Sequence, residues 1–257
     1  ISNYLSGTIS LNQNNIEKSF YYFNKTKSAS KVHLNYNINY IKSLVLLGKF
    51  EEAFVFANSI WKKDEYFFEV DLLLGLDAYI KKDYKLAEKH FARLNQISIS
   101  NYLFEDFFGN FLISWIKASE NKKKDSFEFV EKIPDRYESF SLINKSFLNC
   151  YFKTNETEVI FKRIIGDKDL SSRYNFFLAN YLISINKIDE AKVFINKISK
   201  SYNSTLLIRQ TNDFINQNQT KKIKNFFDCN KPTHSIAEIF YVLANMYSTE
   251  REYQTSN

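Results

Sequence analysis

Apolar and polar positions along this chain follow the spacing of α-helices, and the helical stretches themselves repeat. Residues 48–57 read GKFEEAFVFA, residues 82–91 read KDYKLAEKHF, and residues 187–195 read KIDEAKVFI. Each copy has an apolar ring or branched chain, then polar residues, a small alanine, and an apolar residue four positions later. Phe50 to Tyr84, Ala53 to Ala87, Ala57 to Phe91 and Ile60 to Leu94 are all steps of 34 residues. The same step backwards lands on Ile16, Ser19, Phe23 and Thr26, a weaker copy. A fixed period of this length in a helical pattern predicts stacked helix pairs, none of which buries its apolar face alone.

The pattern divides the chain into about eight helical pairs, at 1–30, 31–64, 65–98, 99–134, 135–167, 168–201, 202–231 and 232–257. In the first, helices around Asn3–Leu11 and Ile16–Lys27 flank the polar turn Asn12–Asn15. In the second, Tyr36, Tyr40, Leu44 and Leu47 share one helical face, and Gly48 ends the helix as a left-handed cap. In the third, Gly75 sits in mid-helix, twelve residues before Ala87. Gly7 and Ser19, and Ala179 and Ala191, have the same offset, so small residues at both places predict close helix approach. The fourth pair has a long first helix, about Asn101–Ser119, and a second that stops at Pro134. Ser126 falls 39 residues after Ala87, which predicts an insertion. The fifth ends at Gly166, the seventh is weak and polar, and Pro232 opens the eighth. There Ala244, Tyr247, Tyr253 and Ser256 fit the repeat register, which places a turn before Tyr253.

Composition narrows the fold class. Only 5 Gly and 2 Pro occur in 257 residues, too few for a turn-rich sandwich or for a doubly wound fold with glycine loops. A hydrophobic share of 44% excludes a disordered chain. The net charge of +6 comes from 35 basic and 29 acidic residues, a mixed surface that favours an acidic partner without identifying one. No apolar stretch is long enough for a membrane helix; Phe107–Ile116 is broken by Gly109, Asn110 and Ser114. Cys150 and Cys229 lie more than two repeats apart. With helix axes stacked ~8–10 Å apart and a disulfide reach of about 7 Å, they are predicted not to pair. Cys150, on an apolar helix, is read as a buried inert thiol. The chain starts at Ile1 and stops in mid-helix at Asn257, so further residues are expected at both ends, and the compartment stays open between bacterial envelope and cytoplasm.

The repeat resembles the tetratricopeptide repeat. With Ala53 and Ala87 as its position 20, position 17 is Phe50 and Tyr84, position 24 is Ala57 and Phe91, and position 27 is Ile60 and Leu94. Position 8 is Gly75 in the third pair but Ile41 in the second, and the consensus Trp at position 4 and Pro at position 32 are absent. The set looks most like the multi-repeat members of bacteria, several of which work at the cell envelope. The resemblance implies an all-α, right-handed α-solenoid whose first helices line a concave groove. It places Tyr4, Thr8, Asn35, Ile38, Lys42, Glu69, Leu72, Leu76, Tyr79, Phe176, Asn180, Tyr241 and Asn245 on that face. Rings and aliphatics there suit anchoring a peptide, and Asn suits its backbone amides.

Catalytic and metal motifs are not found. His33, His90 and His234 fall in three different pairs without ligand spacing, and His90 is placed on a solvated helix face. No phosphate loop or nucleophile elbow occurs. Glu51–Glu52 and Asp189–Glu190 suit the positive ends of their helices. The basic runs Lys122–Lys124 and Lys221–Lys222 stand at turns. The reading is a non-catalytic scaffold without cofactor or metal, binding a protein or peptide partner in its groove. The alternatives are an RNA-binding helical repeat, whose affinity would depend on salt, and an accessory array of a larger envelope-associated or catalytic protein.

Overall fold

A computed structural model describes residues 2–28, 33–97, 106–166, 171–200 and 204–255. Among them every regular element is a helix. The first compact unit spans Ile1–Ile116 and the second Lys117–Asn257. In the first, α1 (Ser2–Asn12) pairs with α2 (Ile16–Asn24), α3 (Leu34–Leu46) with α4 (Phe50–Ile60), and α5 (Phe68–Ile80) with α6 (Tyr84–Ile97). There α7 (Phe108–Ser119) begins, and its last turn opens the second unit. The second unit continues with α8 (Lys123–Glu131), α9 (Glu138–Tyr151), α10 (Thr157–Gly166), α11 (Ser171–Ser184), α12 (Ile188–Ser199), α13 (Leu206–Asn216) and α14 (Pro232–Thr255). Residues 101–105 of the fourth pair's expected first helix, 101–119, lie outside the described residues, but Asp106 and Phe107 form a turn, with Asp106 at a left-handed φ of 54°, so α7 begins only at Phe108 and is shorter than expected.

One turn recurs through both units. Asn14, Gly48, Lys82, Asn121, Lys153, Asn186 and Asn218 all have left-handed φ, at steps of 34, 34, 39, 32, 33 and 32 residues. Each donates its N–H three residues back, and the next residue donates five back: Gly48 to Val45 and Lys49 to Leu44, Asn186 to Ile183 and Lys187 to Leu182. This double bond satisfies carbonyls that a helix end leaves open. Asn tolerates left-handed backbone better than other side chains, so four asparagines do what glycine usually does, and the chain needs little glycine. The 39-residue step carries the insertion inferred from Ser126. Gly166 closes α10 without a positive φ.

Packing within each pair follows a size rule. A Cβ on Gly7 would lie 2.7 Å from the Phe23 ring, and one on Gly75 only 2.3 Å from the Phe91 ring. Gly75 therefore makes room chiefly for Phe91, four residues after Ala87. The second pair reverses the sizes: Ile41 takes the glycine position and Ala57 the phenylalanine position, both buried in one cluster with Val70 and Leu74. The absence of a small residue at position 41 is thus a swap. Ala179, Ala191 and Ile195 repeat the arrangement with intermediate sizes, all fully buried.

The regular pattern ends after α13. A 3-10 segment, Thr220–Asn225, stands where a second helix would follow, and Ile223 is its buried residue. α14 then runs unbroken from Pro232 to Thr255, through the place where the repeat register puts a turn. Residues 249–253 read TEREY, with no Gly or Pro to interrupt a helix, and the helix continues. Ser256 lies outside the described residues.

α14 packs on α9 within the second unit, and this overturns the expectation for the cysteines. Cys150 and Cys229 form a disulfide, with Cα atoms 5.7 Å apart. The estimate from stacked helices failed because the 3-10 segment and the loop after it replace a regular helix and return the chain to α9. Cys150 is accordingly not a free thiol.

Candidate functional site

α11 and α14 each turn one helical face toward a shared cavity. On α11 these are Arg173, Phe176 and Phe177, and on α14 His234, Ala237, Glu238 and Tyr241, spaced three and four residues apart as one helical face requires. Leu207 of α13 and Asn225, Phe226 and Phe227 close the remaining wall. The cavity has a volume of about 380 Å³, within the range of small-ligand and side-chain pockets. Phe177 and Phe227 are buried, with ring centroids 4.6 Å apart, while Tyr241 is half exposed.

Charge inside the cavity is committed. Arg173 donates from Nε and Nη2 to the two carboxylate oxygens of Glu238, each at 2.5 Å. Burial pushes the Glu238 carboxyl above its usual range, and the bonds from Arg173 oppose that. Burial alone would lower the Arg173 value, but the Glu238 bonds and charge outweigh it. The guanidinium also lies 4.2 Å above the Tyr241 ring, a cation–π contact that fixes the ring. His234 Nδ1 accepts the backbone N–H of Asp228 at 3.1 Å. Burial, then the nearby Lys231 charge, lowers its imidazole below the usual value. With the carboxylate in a bidentate pair and the imidazole accepting a backbone bond, the lining offers apolar volume and ring edges.

The sequence-predicted residues divide between the two units. Phe176 and Tyr241 line the cavity. Asn180 is buried and donates Nδ2 to the Phe227 carbonyl at 2.7 Å, so it builds the wall from behind. Asn245 is exposed one turn beyond Tyr241. In the first unit, Asn35 and Lys42 are exposed on α3, with Ile38 half-buried between them. Glu69, Leu72 and Leu76 are half-buried on α5, and burial raises the Glu69 carboxyl. Tyr79 is buried, with its ring 5.7 Å from Tyr84. Tyr4 packs on the rings of Phe23 and Tyr36, and Thr8 donates to the Tyr4 carbonyl. Arg173, His234, Glu238, Phe226 and Phe227 were missed. The paired faces of α11 and α14 carry the signal, but only the fold shows that they meet.

The first unit has a second groove, of about 370 Å³, between α4, α5 and α6. His90 lines it and is 5% exposed, so it does not stand on a solvated face. Asp71, fully buried, accepts from Trp61 Nε1 at 3.1 Å and Arg93 Nε at 2.9 Å, and lies 2.9 Å from His90 Nδ1. Arg93 also donates to the carbonyls of Lys62 at 3.2 Å, Lys63 at 2.6 Å, and Glu65. A buried carboxylate needs such partners. This set clamps the long α4–α5 connection onto α6, which explains the residues structurally.

Among the described residues no group of three His, Cys, Asp or Glu is placed to hold a metal. No described helix is long and apolar enough to cross a membrane. In the basic runs, Lys122 lies 3.0 Å from Glu120, Lys124 lies 3.7 Å from Glu128, and Lys222 lies 5.5 Å above the Phe214 ring.

No protein-family model and no curated protein matches the sequence. Among solved structures, the crystal structure of a tetratricopeptide repeat protein from Parabacteroides merdae is similar, with a TM-score of 0.66 and 13% identity, covering 93% of this chain and 96% of that one. A likeness at that identity speaks to fold alone: the chain has the all-α, tetratricopeptide-type helical-repeat fold, of the α-solenoid class.

Proposed function

We propose that this chain is a non-catalytic interaction scaffold, and that the cavity between α11 and α14 receives a ring or branched aliphatic side chain of a protein or peptide partner. The ring lining around a committed ion pair is the observation that carries it. Aromatic anchors in pockets supply most of the energy of such contacts. The exposed Asn35 and Lys42, and the half-buried Ile38, Leu72 and Leu76, are further contact positions for the same class of partner. The acidic neighbours of Lys122 and Lys124 favour a protein partner over RNA, since those lysines already have counter-charges.

A displayed peptide library tests this. The wild-type chain is expected to enrich peptides with a shared bulky apolar residue, and Tyr241→Asp to abolish that enrichment. Equal enrichment by Tyr241→Asp would remove the cavity as the site. Leu72→Asp combined with Tyr79→Ala tests the first unit in the same way.

A further inference from the structure

We propose that the Cys150–Cys229 disulfide clamps one wall of the α11–α14 cavity, and that the chain acquires it in an oxidising compartment, so that the formed cavity belongs to the oxidised protein. The proposal rests on reading that cavity as the partner site.

The bond joins the last turn of α9 to the loop between the 3-10 segment and α14, across 79 residues of chain. The other anchors of that loop are non-covalent. Asn180 holds the Phe227 carbonyl at 2.7 Å, the Phe227 ring packs 5.1 Å from Phe147 and 4.6 Å from Phe177, and the Phe226 ring packs 6.5 Å from Phe176 and 6.2 Å from Phe214. The remaining polar bonds are local: Asp228 N–H to His234, and Asn230 to the Asp228 carboxylate. The segment before it is 3-10, with weaker bond geometry than an α-helix. Yet this stretch and the start of α14 supply most of the cavity lining, from Asn225 to Tyr241. The disulfide at Cys229 adds a covalent constraint that ties this wall to α9.

Burial decides what kind of disulfide this is. Cys150 is 2% exposed and Cys229 4%. A buried pair is a poor target for thiol attack, so it acts as a staple and not as an exchanging dithiol. Closing it needs an oxidised disulfide donor. One cysteine thiolate attacks the donor to form a mixed disulfide, the second displaces the donor thiol, and two electrons and two protons leave with the reduced donor. Because both sulfurs are inaccessible once α14 is seated on α9, closure precedes that docking. Disulfides of this kind form and persist in oxidising compartments.

The test needs no ligand. The chain is purified without reductant, and thiols are counted by alkylation in guanidinium and mass, before and after tris(carboxyethyl)phosphine; chain reduced in guanidinium and refolded in reductant is compared with the oxidised chain by hydrogen exchange and far-UV circular dichroism. The expected result is no alkylatable thiol before reduction and both cysteines alkylated after it, since the chain's 2 cysteines are paired with each other. Exchange at residues 225–241 is then expected to rise about tenfold or more, with the helical signal retained. Free thiols before reduction, or unchanged exchange after it, overturn the clamp. So does loss of the whole helical signal, because the bond then holds the entire unit and not one wall. Cys229→Ala gives a second measure: it is expected to copy the exchange pattern of the reduced chain, and wild-type protection overturns the proposal. Thiols trapped with N-ethylmaleimide at lysis of cells that make the natural chain test the compartment, where free thiols overturn that half. Failure of the cavity reading shows separately, as unchanged peptide enrichment by Tyr241→Asp while the exchange result holds.

Discussion

Single residues set the turns and the contact sizes. Lys82 and Lys153 hold left-handed backbone at φ of 63° and 52°, where a side chain other than Asn costs ~1–2 kcal/mol. Both are exposed. Lys82→Gly is therefore expected to raise stability by roughly 0.5–1 kcal/mol after the added flexibility of the unfolded chain is counted, seen as a higher urea midpoint. A lower midpoint would show that the Lys82 side chain matters more than its backbone. Gly75→Val is expected to cost about 1–3 kcal/mol by overpacking against Phe91. Adding Phe91→Ala should recover part of that loss, as Ile41 opposite Ala57 already does in the neighbouring pair. A double-mutant cycle without coupling would count against the size rule. These small-and-large pairs were half legible: the glycines and alanines stood at a constant offset, but which ring filled each space needed the structure.

At the scale of elements, polar clamps fix the connections between helices. Asp71→Ala is expected to cost about 3–5 kcal/mol, because it strands the buried Arg93 guanidinium, and chemical denaturation measures it. The repeat register alone could not show this, since Asp71 stands where the consensus has Trp. Its partners, His90 and Arg93, come from a helix that only the tertiary fold brings near. His234 predicts a pH effect. Its folded value is below the unfolded one, so the folded state binds its proton less readily than the unfolded chain. Its contribution is fully present above the ordinary imidazole value of 6.5 and is lost as pH falls from there through the lowered value. Protonation also makes Nδ1 a donor and breaks its bond with the Asp228 N–H. Glu238 acts oppositely: its raised value makes stability fall as pH rises from 4.5 through that value. The wild type is thus expected to lose more stability than His234→Gln between neutral pH and pH below 6.5, compared by melting at each pH. Equal losses would remove His234 as the source.

For the whole molecule, the disulfide is the main constraint that crosses many elements. Trp61 and Trp115 both fall in the unit spanning Ile1–Ile116, so tryptophan fluorescence follows that unit, whereas far-UV circular dichroism reports all helices. Reduction is expected to remove about 2–4 kcal/mol from the second unit and to lower the dichroism midpoint while the tryptophan midpoint holds. A shift of the tryptophan signal alone would contradict this.

By itself the sequence determined the helical class, the period, most turn sites and the small positions, because helix spacing and left-handed turn chemistry are local properties of a few neighbouring residues. Gly48, the polar turn Asn12–Asn15 and the alanines at positions 53, 87 and 191 carry that information without reference to the rest of the chain. The tertiary structure alone decided that Cys150 meets Cys229, that α14 continues where a turn was expected, and that Arg173 finds Glu238. Those contacts join residues 79, and 65, positions apart. They depend on how the chain returns after the irregular 3-10 segment, and no periodic pattern extends through it.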